Sequence, residues 1–143
     1  MDVPRGPMQV LIADDHEIVR RGVRSILESR KGLEICGEAV NGREAVNKAS
    51  QLHPDLIILD QAMPVLSGLG AATEIRQLMP DVPILMLSMH DGKTLLDSLR
   101  AIGARGFVPK AECADKLLEA VDAVLRGDTF FDAEPSSCMG LSE

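Results

Sequence analysis

The chain has 143 residues, and 45% of them are hydrophobic, which is enough apolar material for one compact domain. It carries 15 basic and 22 acidic side chains, a net charge of −7, and its only aromatic residues are three phenylalanines. This composition argues against a nucleic-acid or membrane-surface binder that relies on positive charge or on base stacking. Any contact with DNA would need a further domain.

The cysteines and the N-terminal residues exclude several other classes of protein. Cys36, Cys113 and Cys138 form no CxxC pair and no zinc-type spacing with any histidine, so neither a disulfide framework nor a structural zinc site is expected. The sequence has no signal-peptide pattern and no apolar run of transmembrane length. We therefore expect a cytoplasmic protein that is not attached to a membrane.

Short apolar runs alternate with longer stretches of helical periodicity between residues 8 and 127. The apolar runs predict five strands, at residues 9–13, 33–39, 56–59, 84–87 and 107–108. Each run is followed by a stretch in which apolar residues recur at helical spacing. This alternation predicts a single α/β domain with a doubly wound parallel sheet and helices on both of its faces.

The first of these helices shows a broad apolar face. Apolar residues from Ile18 to Leu27 recur at spacings of three and four and give the helix one wide apolar face. The arginines of this helix, among them Arg20 and Arg24, are expected to lie in solvent. His16 is expected to begin the helix.

Polar side chains follow four of the five predicted strands. Asp14 and Asp15 follow the first strand, Asp60 the third, Ser88 the fourth and Lys110 the fifth. The carboxyl ends of parallel strands meet at one edge of the sheet, so these side chains should lie close together. Carboxylates crowded in this way either hold a proton or bind a cation, and oxygen ligands favour Mg²⁺ or Ca²⁺ over zinc.

The same edge lacks the glycine-rich loop that cradles a whole nucleotide, which favours a small phosphoryl group as the ligand. Phosphoryl transfer needs a nucleophile, a divalent cation and a positive side chain near the phosphoryl oxygens. We assign these roles to Asp60 as the nucleophile and to Asp14 and Asp15 as holders of the metal. Lys110 would pair with the phosphoryl oxygens, and Ser88 would donate a hydrogen bond to one of them.

Each of these residues also has a simpler interpretation. An Asp-Asp pair after a strand is more often part of a turn or a helix cap, a single lysine is usually solvated, and a serine often bonds its own backbone. Their joint position at the strand ends favours a site. We do not favour a metal or acid-base role for His16 or for His90, which should line the edge of the site.

Four motifs together resemble the receiver domain of a two-component response regulator. They are IADDH at residues 12–16, LIILDQAMPVLSG at 56–68, LSMHD at 87–91 and GFVPKA at 106–111. The sequence is most similar to the subfamily whose receivers precede a LuxR/NarL-type helix-turn-helix domain. The resemblance implies a flavodoxin-like fold with strand order 2-1-3-4-5 and five helices.

The resemblance also implies a role for individual residues. Asp60 would be the phosphoacceptor, Asp15 and Asp60 would bind Mg²⁺ directly, and Asp14 would act mainly through water. The backbone carbonyl of Ala62 would complete the protein's share of the metal ligands.

Three further residues match the positions that respond to phosphorylation in this family. Ser88 stands at the switch hydroxyl position, and Lys110 at that of the lysine that contacts the phosphate. Phe107 occupies the switch aromatic position, where tyrosine is common. Because phenylalanine has no hydroxyl group, only the packing of its ring could change on phosphorylation.

The resemblance further implies the partners and the domain limits. A sensor histidine kinase would donate the phosphoryl group, and phosphorylation would favour a homodimer. Residues 8–127 would be the receiver, and residues 128–143 a linker or tail leading to an absent helix-turn-helix domain that would contact DNA. The fragment itself would bind no nucleic acid, and its only catalysis would be its own phosphorylation and dephosphorylation.

Three alternatives belong to other functional classes. A Mg²⁺ phosphohydrolase with an aspartyl-phosphate intermediate generally has a DxD motif at the nucleophile, whereas Gln61 and Ala62 follow Asp60 here. A flavodoxin would need a phosphate-binding first loop, and this one is acidic. A stand-alone or unphosphorylated receiver that acts as a protein-interaction module remains the main alternative.

Overall fold

Five parallel strands form the centre of the protein. The computed structural model describes residues 6–89 and 93–131, so His90, Cys138 and the expected tail beyond Phe131 lie outside the described residues. The strands pair in the order β2-β1-β3-β4-β5, which confirms the predicted topology. Their bounds are β1 Met8–Ala13, β2 Leu33–Ala39, β3 Leu56–Asp60, β4 Ile84–Ser88 and β5 Gly106–Pro109.

Five α-helices connect and follow the strands, and a short 3₁₀ helix, Lys110–Glu112, precedes the last of them. No helix in the described part of the chain is both long and apolar enough to cross a membrane. The helices are α1 Glu17–Glu28, α2 Gly42–Leu52, α3 Gly68–Leu78, α4 Lys93–Ala101 and α5 Cys113–Leu125.

The sheet separates two hydrophobic cores because successive side chains of a strand point to opposite faces. In β3, Ile57 and Leu59 pack with the helices α2, α3 and α4, whereas Leu56 and Ile58 pack with α1 and α5. All five residues of β3 are buried, as expected for a central strand covered by helices on both faces. Aliphatic side chains supply nearly all of this packing.

Side-chain caps begin two of the helices that start near the carboxyl ends of the strands. The Asn41 side chain accepts a hydrogen bond from the Glu44 N–H at 2.7 Å, and the Glu44 carboxylate accepts one from the Val40 N–H. Ser67 accepts from the Gly70 N–H at 3.1 Å and so caps α3. These caps satisfy backbone donors that would otherwise lack partners.

The apolar face of α1 is buried only in part. Ile18 is 83% exposed, while Val23 and Leu27, one and two turns further on, are buried against the sheet. Helical periodicity identifies a face, but only the part of that face that lies over the sheet is covered. The first turn of α1 therefore leaves Ile18 in solvent.

The expectation that the arginines of α1 lie in solvent is wrong for Arg20. Its side chain is only 14% exposed, and its Nε donates to Glu38 on β2 at 2.9 Å. Its Nη1 donates to the backbone carbonyl of Asp14 at 2.8 Å. Arg24 contacts the same Glu38 carboxylate at 3.2 Å. Arg20 therefore ties α1 to the loop that carries the first acidic pair.

The chain does not leave the domain directly after α5. Phe130 forms a parallel bridge with Gly106 at the outer edge of β5. Its carbonyl accepts a hydrogen bond from the Phe107 N–H at 2.8 Å, and its own N–H donates to the Arg105 carbonyl at 2.9 Å. The next residue, Phe131, lies under the Arg100 guanidinium, 4.5 Å from the ring centroid. Residues 128–131 thus cover part of an otherwise open sheet edge.

Gly68 is expected to tolerate no side chain, because a Cβ there would lie 2.3 Å from the Asp60 carbonyl oxygen. Gly68→Ala should lower the free energy of unfolding by about 1–3 kcal/mol through overpacking. In the matched control, Gly22→Ala, the new Cβ meets no atom within 4 Å in the middle of α1. That change should stabilise the protein by about 0.5–1 kcal/mol.

Urea unfolding followed by circular dichroism measures both changes. Equal effects of the two substitutions would contradict the close contact between α3 and the end of β3.

Candidate functional site

The predicted convergence of polar residues at one sheet edge is present in the structure. In the register of the parallel strands, Ala13 of β1 pairs with Leu59 of β3, and Asp60 pairs with Leu87 of β4. Ser88 pairs in turn with Pro109 of β5. The residues that follow these strands therefore lie together at the carboxyl edge of the sheet, around the acidic pocket formed by Asp14, Asp15 and Asp60.

The centre of this pocket is an ion-paired triad. Lys110 Nζ lies 2.9 Å from Asp14 Oδ2 and 3.1 Å from Asp60 Oδ1. The side chains of both aspartates are only 2% exposed, and that of the lysine is 11% exposed. One ammonium therefore faces two buried carboxylates.

The lysine does not satisfy both carboxylates completely. Asp60 Oδ2 is buried and has no hydrogen-bond partner in residues 6–89 and 93–131. Asp14 Oδ2 lies within ion-pair distance of Lys110 but makes no well-oriented hydrogen bond. A buried carboxylate oxygen without a partner is costly, so this pocket favours an additional positive ligand.

Burial and charge shift the pKa values of the triad. Burial raises the pKa of the Asp60 carboxyl above its ordinary value, and the charge of Asp14 adds to the effect, while Lys110 and the Ala62 N–H oppose it. Burial lowers the pKa of the Lys110 ammonium, but its close contacts with the Asp14 and Asp60 carboxylates outweigh this and the pKa is raised. The lysine therefore remains charged at neutral pH.

Asp15 and His16 lie at the open side of the pocket. One possible ligand atom from each of Asp14, Asp15, His16 and Asp60 lies within 4.8 Å of the other three. Together with the unpartnered oxygen of Asp60, this oxygen-rich arrangement fits a hard divalent cation such as Mg²⁺. The structure thus brings together the three aspartates that the sequence assigned to a metal.

The loop from β3 to α3 holds the remaining expected metal ligand, Ala62. Its neighbour Gln61 contributes more to the loop than the sequence analysis recognised. The Gln61 carbonyl accepts from the Gly68 N–H at 2.9 Å, and its side-chain oxygen accepts from the Leu69 N–H at 2.8 Å. Gln61 thereby fixes the loop against the start of α3. The only sequence signal for this role of Gln61 is that it is a polar residue directly after the candidate phosphoacceptor Asp60.

The two expected switch residues lie beside the triad on β4 and β5. Ser88 is 3% exposed and stands one residue beyond Leu87, the register partner of Asp60. Phe107 is fully buried in the core that faces α2, α3 and α4. Both side chains are therefore shielded from solvent.

This arrangement matches a known family. The Response regulator receiver domain family matches residues 10–122 of the chain. The chain belongs to the response regulator receiver family. That match identifies a receiver domain rather than an ordinary enzyme.

Individual relatives agree with this assignment. The receiver is 38% identical over 133 residues to the oxygen regulatory protein NreC of Staphylococcus carnosus, covering 92% of this chain and 61% of NreC. It therefore spans about three fifths of the length of that curated relative.

Two solved structures show the same fold at comparable similarity. A LuxR-family response regulator from Aurantimonas sp. SI85-9A1 superposes with a TM-score of 0.87 at 30% identity, covering 92% of this chain and 94% of that one. The signal receiver domain of NarL from Mycobacterium tuberculosis gives 0.81 at 28% identity, covering 86% and 99%. The receiver's relatives thus include members of the LuxR/NarL-type subfamily.

We expect Asp60→Asn to stabilise the receiver at neutral pH by several degrees in Tm when no divalent cation is present. The substitution removes a buried charge that repels Asp14 and keeps the side-chain shape. Because the folded-state pKa of Asp60 is raised above its ordinary 3.8, the unfolded chain ionises first as the pH rises. The wild type therefore loses stability relative to the variant as the pH rises through that window.

Thermal unfolding at pH 3.5 and at pH 7 with EDTA measures this difference. Asp97→Asn, at an exposed position on α4, is the control and should show a much smaller change. A Tm of Asp60→Asn below that of the wild type at pH 7 would contradict the unbalanced charge of the pocket.

Proposed function

We propose that the receiver is a phosphorylation-dependent switch in which Asp60 accepts a phosphoryl group with Mg²⁺. The observation that carries this proposal is the buried Asp60 carboxylate, which has one oxygen paired with Lys110 and the other without a partner. A carboxylate with an available oxygen can act as a nucleophile, and the neighbouring ammonium can stabilise added negative charge.

The donor in this proposal is a phosphohistidine of a sensor histidine kinase. The Asp60 oxygen attacks the phosphorus, the bond from phosphorus to the imidazole nitrogen breaks, and that nitrogen keeps the electron pair. The product is an acyl phosphate on Asp60 and an unphosphorylated histidine on the kinase. A small acyl phosphate can replace the kinase as donor because its leaving group is also stable.

The chain's own residues then stabilise the product. Lys110 lies within 3.1 Å of Asp60 and would pair with the new phosphoryl oxygens. The Ser88 hydroxyl would donate to another of these oxygens, and Phe107 would repack in the space that Ser88 vacates. These movements bias an existing equilibrium between two packings of the β4–β5 region.

The expected metal ligands fit this reaction. Asp15, Asp60 and the Ala62 carbonyl would hold Mg²⁺ directly, and Asp14 would act mainly through water. When bound, Mg²⁺ supplies positive charge that neutralises the phosphoryl oxygens during transfer. Asp14 keeps Lys110 directed toward Asp60 through their 2.9 Å contact.

The proposed output of the switch is the regulation of transcription. We propose that residues 8–127 are the receiver and that residues 128–143 lead to a helix-turn-helix domain, which would contact DNA. Phosphorylation would favour a homodimer and thereby regulate transcription in the cytoplasm. The support for this step is the similarity to the LuxR-family and NarL relatives.

Intact-mass spectrometry after incubation with Mg²⁺ and acetyl phosphate tests the proposed chemistry. We expect one added phosphoryl group on the wild type, none on Asp60→Asn and none with EDTA. Asp97→Asn should be phosphorylated like the wild type, because Asp97 lies on the exposed side of α4.

A wild type that forms no adduct with acetyl phosphate or with a donor kinase, and binds no beryllofluoride, would contradict the switch. That outcome would instead favour the unphosphorylated interaction module.

Lys110→Met should change Mg²⁺ affinity and the rate of phosphorylation in opposite directions. Removing the ammonium leaves Asp14 and Asp60 without their shared cation, so we expect several-fold tighter Mg²⁺ binding. Phosphorylation by acetyl phosphate should become slower, because the group that stabilises the transferred charge is missing. Calorimetric Mg²⁺ titration and adduct formation rates measure the two effects, and weaker Mg²⁺ binding would contradict the assigned role.

A further inference from the structure

His16 lies closer to the acidic pocket than the sequence analysis expected. Its Nδ1 is 3.1 Å from Asp15 Oδ1 and 3.5 Å from Asp14 Oδ1. Its backbone N–H donates to Asp14 Oδ1 at 2.9 Å, which holds the start of α1 against the pocket. The imidazole is therefore the only nitrogen ligand candidate in the acidic cluster that the described residues form.

The distances agree with ligands of a single ion. Two donor atoms bound to one transition-metal ion at about 2.1 Å lie about 3 Å apart at a right angle and about 4 Å apart across the ion. The separations from His16 Nδ1 to the two aspartates fall in this range. The ring is 66% exposed, so it can adjust its orientation without disturbing the core.

The pocket also offers an observation that is independent of the clustering of acids. Asp60 Oδ2 is buried and has no hydrogen-bond partner in the described ranges, and one carboxylate oxygen of Asp60 lies within 4.8 Å of the ligand atoms of Asp14, Asp15 and His16. A cation bound between Asp60, Asp15 and His16 would satisfy this oxygen. The resulting ligand set contains one imidazole nitrogen and carboxylate oxygens.

Such a mixed ligand set distinguishes between metals. Mg²⁺ prefers oxygen ligands and water, whereas imidazole suits Ni²⁺, Zn²⁺ and other borderline transition metals. A nitrogen ligand should therefore leave Mg²⁺ binding unchanged and strengthen the binding of these other ions.

We propose that His16 is an additional metal ligand, which lets the acidic pocket bind a borderline transition-metal ion in competition with Mg²⁺. The inference rests on the proposed function, because both ions would share Asp15 and Asp60. Occupancy by the transition metal would reduce the fraction of receiver that holds Mg²⁺. The pocket would then respond to transition-metal concentration as well as to the phosphoryl donor.

Calorimetric titrations of the whole chain with Ni²⁺ and, separately, with Mg²⁺ test this inference. We expect His16→Gln to weaken Ni²⁺ binding by at least about 10-fold, since even the loss of a group that only orients a metal ligand typically costs about 10–100-fold in affinity. Mg²⁺ binding should not change. His53→Asn is the matched control, because His53 is an exposed C-cap of α2 with left-handed backbone that asparagine tolerates.

Two further variants test which histidine supplies the nitrogen ligand and whether both ions bind in the acidic pocket. His90→Asn should keep Ni²⁺ affinity, and Asp60→Asn should weaken the binding of both ions. In proton NMR of the wild type, substoichiometric Ni²⁺ should broaden the ring signals of His16 and leave those of His53 sharp. Circular dichroism confirms that each variant is folded.

Other results would overturn the inference in distinguishable ways. If His16→Gln weakens both ions equally or neither, or if only His90→Asn weakens Ni²⁺, His16 is not a selective ligand. The proposed function survives that result as long as Asp60→Asn abolishes Mg²⁺ binding. If Asp60→Asn leaves both affinities unchanged, the acidic pocket is not a metal site and the proposed function fails as well.

Discussion

Two buried carboxylates, Asp14 and Asp60, share the single ammonium of Lys110, and the fold places all three at one edge of the sheet. Charges with so little solvent access need close partners, and one lysine cannot neutralise two aspartates. The remaining negative charge faces the open side of the pocket, where Asp15 adds to it. The proposed affinity for a divalent cation and the proposed reactivity of Asp60 would both follow from this imbalance.

The surrounding structure holds the two carboxylates close together despite their repulsion. Arg20 holds the carbonyl of Asp14 from the side of α1. On the other side, Gly68 brings the start of α3 against the carbonyl of Asp60, and Gln61 bonds the intervening loop to the same helix. With the backbone fixed on both sides, the carboxylates cannot separate to reduce their repulsion. A bound cation or a phosphoryl group therefore changes the energy of a pocket that is already assembled.

The sequence was sufficient for the parts of the structure that depend on local pattern and on parallel-sheet geometry. Apolar runs predicted the five strands, and the convergence of the carboxyl ends of parallel strands predicted that Asp14, Asp60 and Lys110 lie together. The strand order 2-1-3-4-5 came from the family resemblance, since periodicity alone does not distinguish among parallel orders. Its agreement with the observed pairing supports the resemblance independently of the motifs.

Features that depend on distant partners were not predicted. Arg20 looked solvated because its partner Glu38 lies on β2, and the exposure of Ile18 could not be foreseen because periodicity does not show where the sheet ends. Phe130 pairs with the edge of β5 although residues 128–131 show no strand-like alternation. The contact between the side chains of His16 and its chain neighbour Asp15 depends on the backbone turn into α1, and the sequence motif does not specify that turn.

The central claim is that this pocket is a preformed cation site whose binding energy comes from the unpaired charge of Asp60 and its neighbours. A Mg²⁺ titration followed by two-dimensional amide NMR of the wild type and of Asp60→Asn tests it most directly. We predict saturable shifts in the wild type that are concentrated at residues 14–16, 60–62, 88–89 and 110, and their near absence in Asp60→Asn. No saturable shifts in the wild type, or equal shifts in both proteins, would contradict the claim.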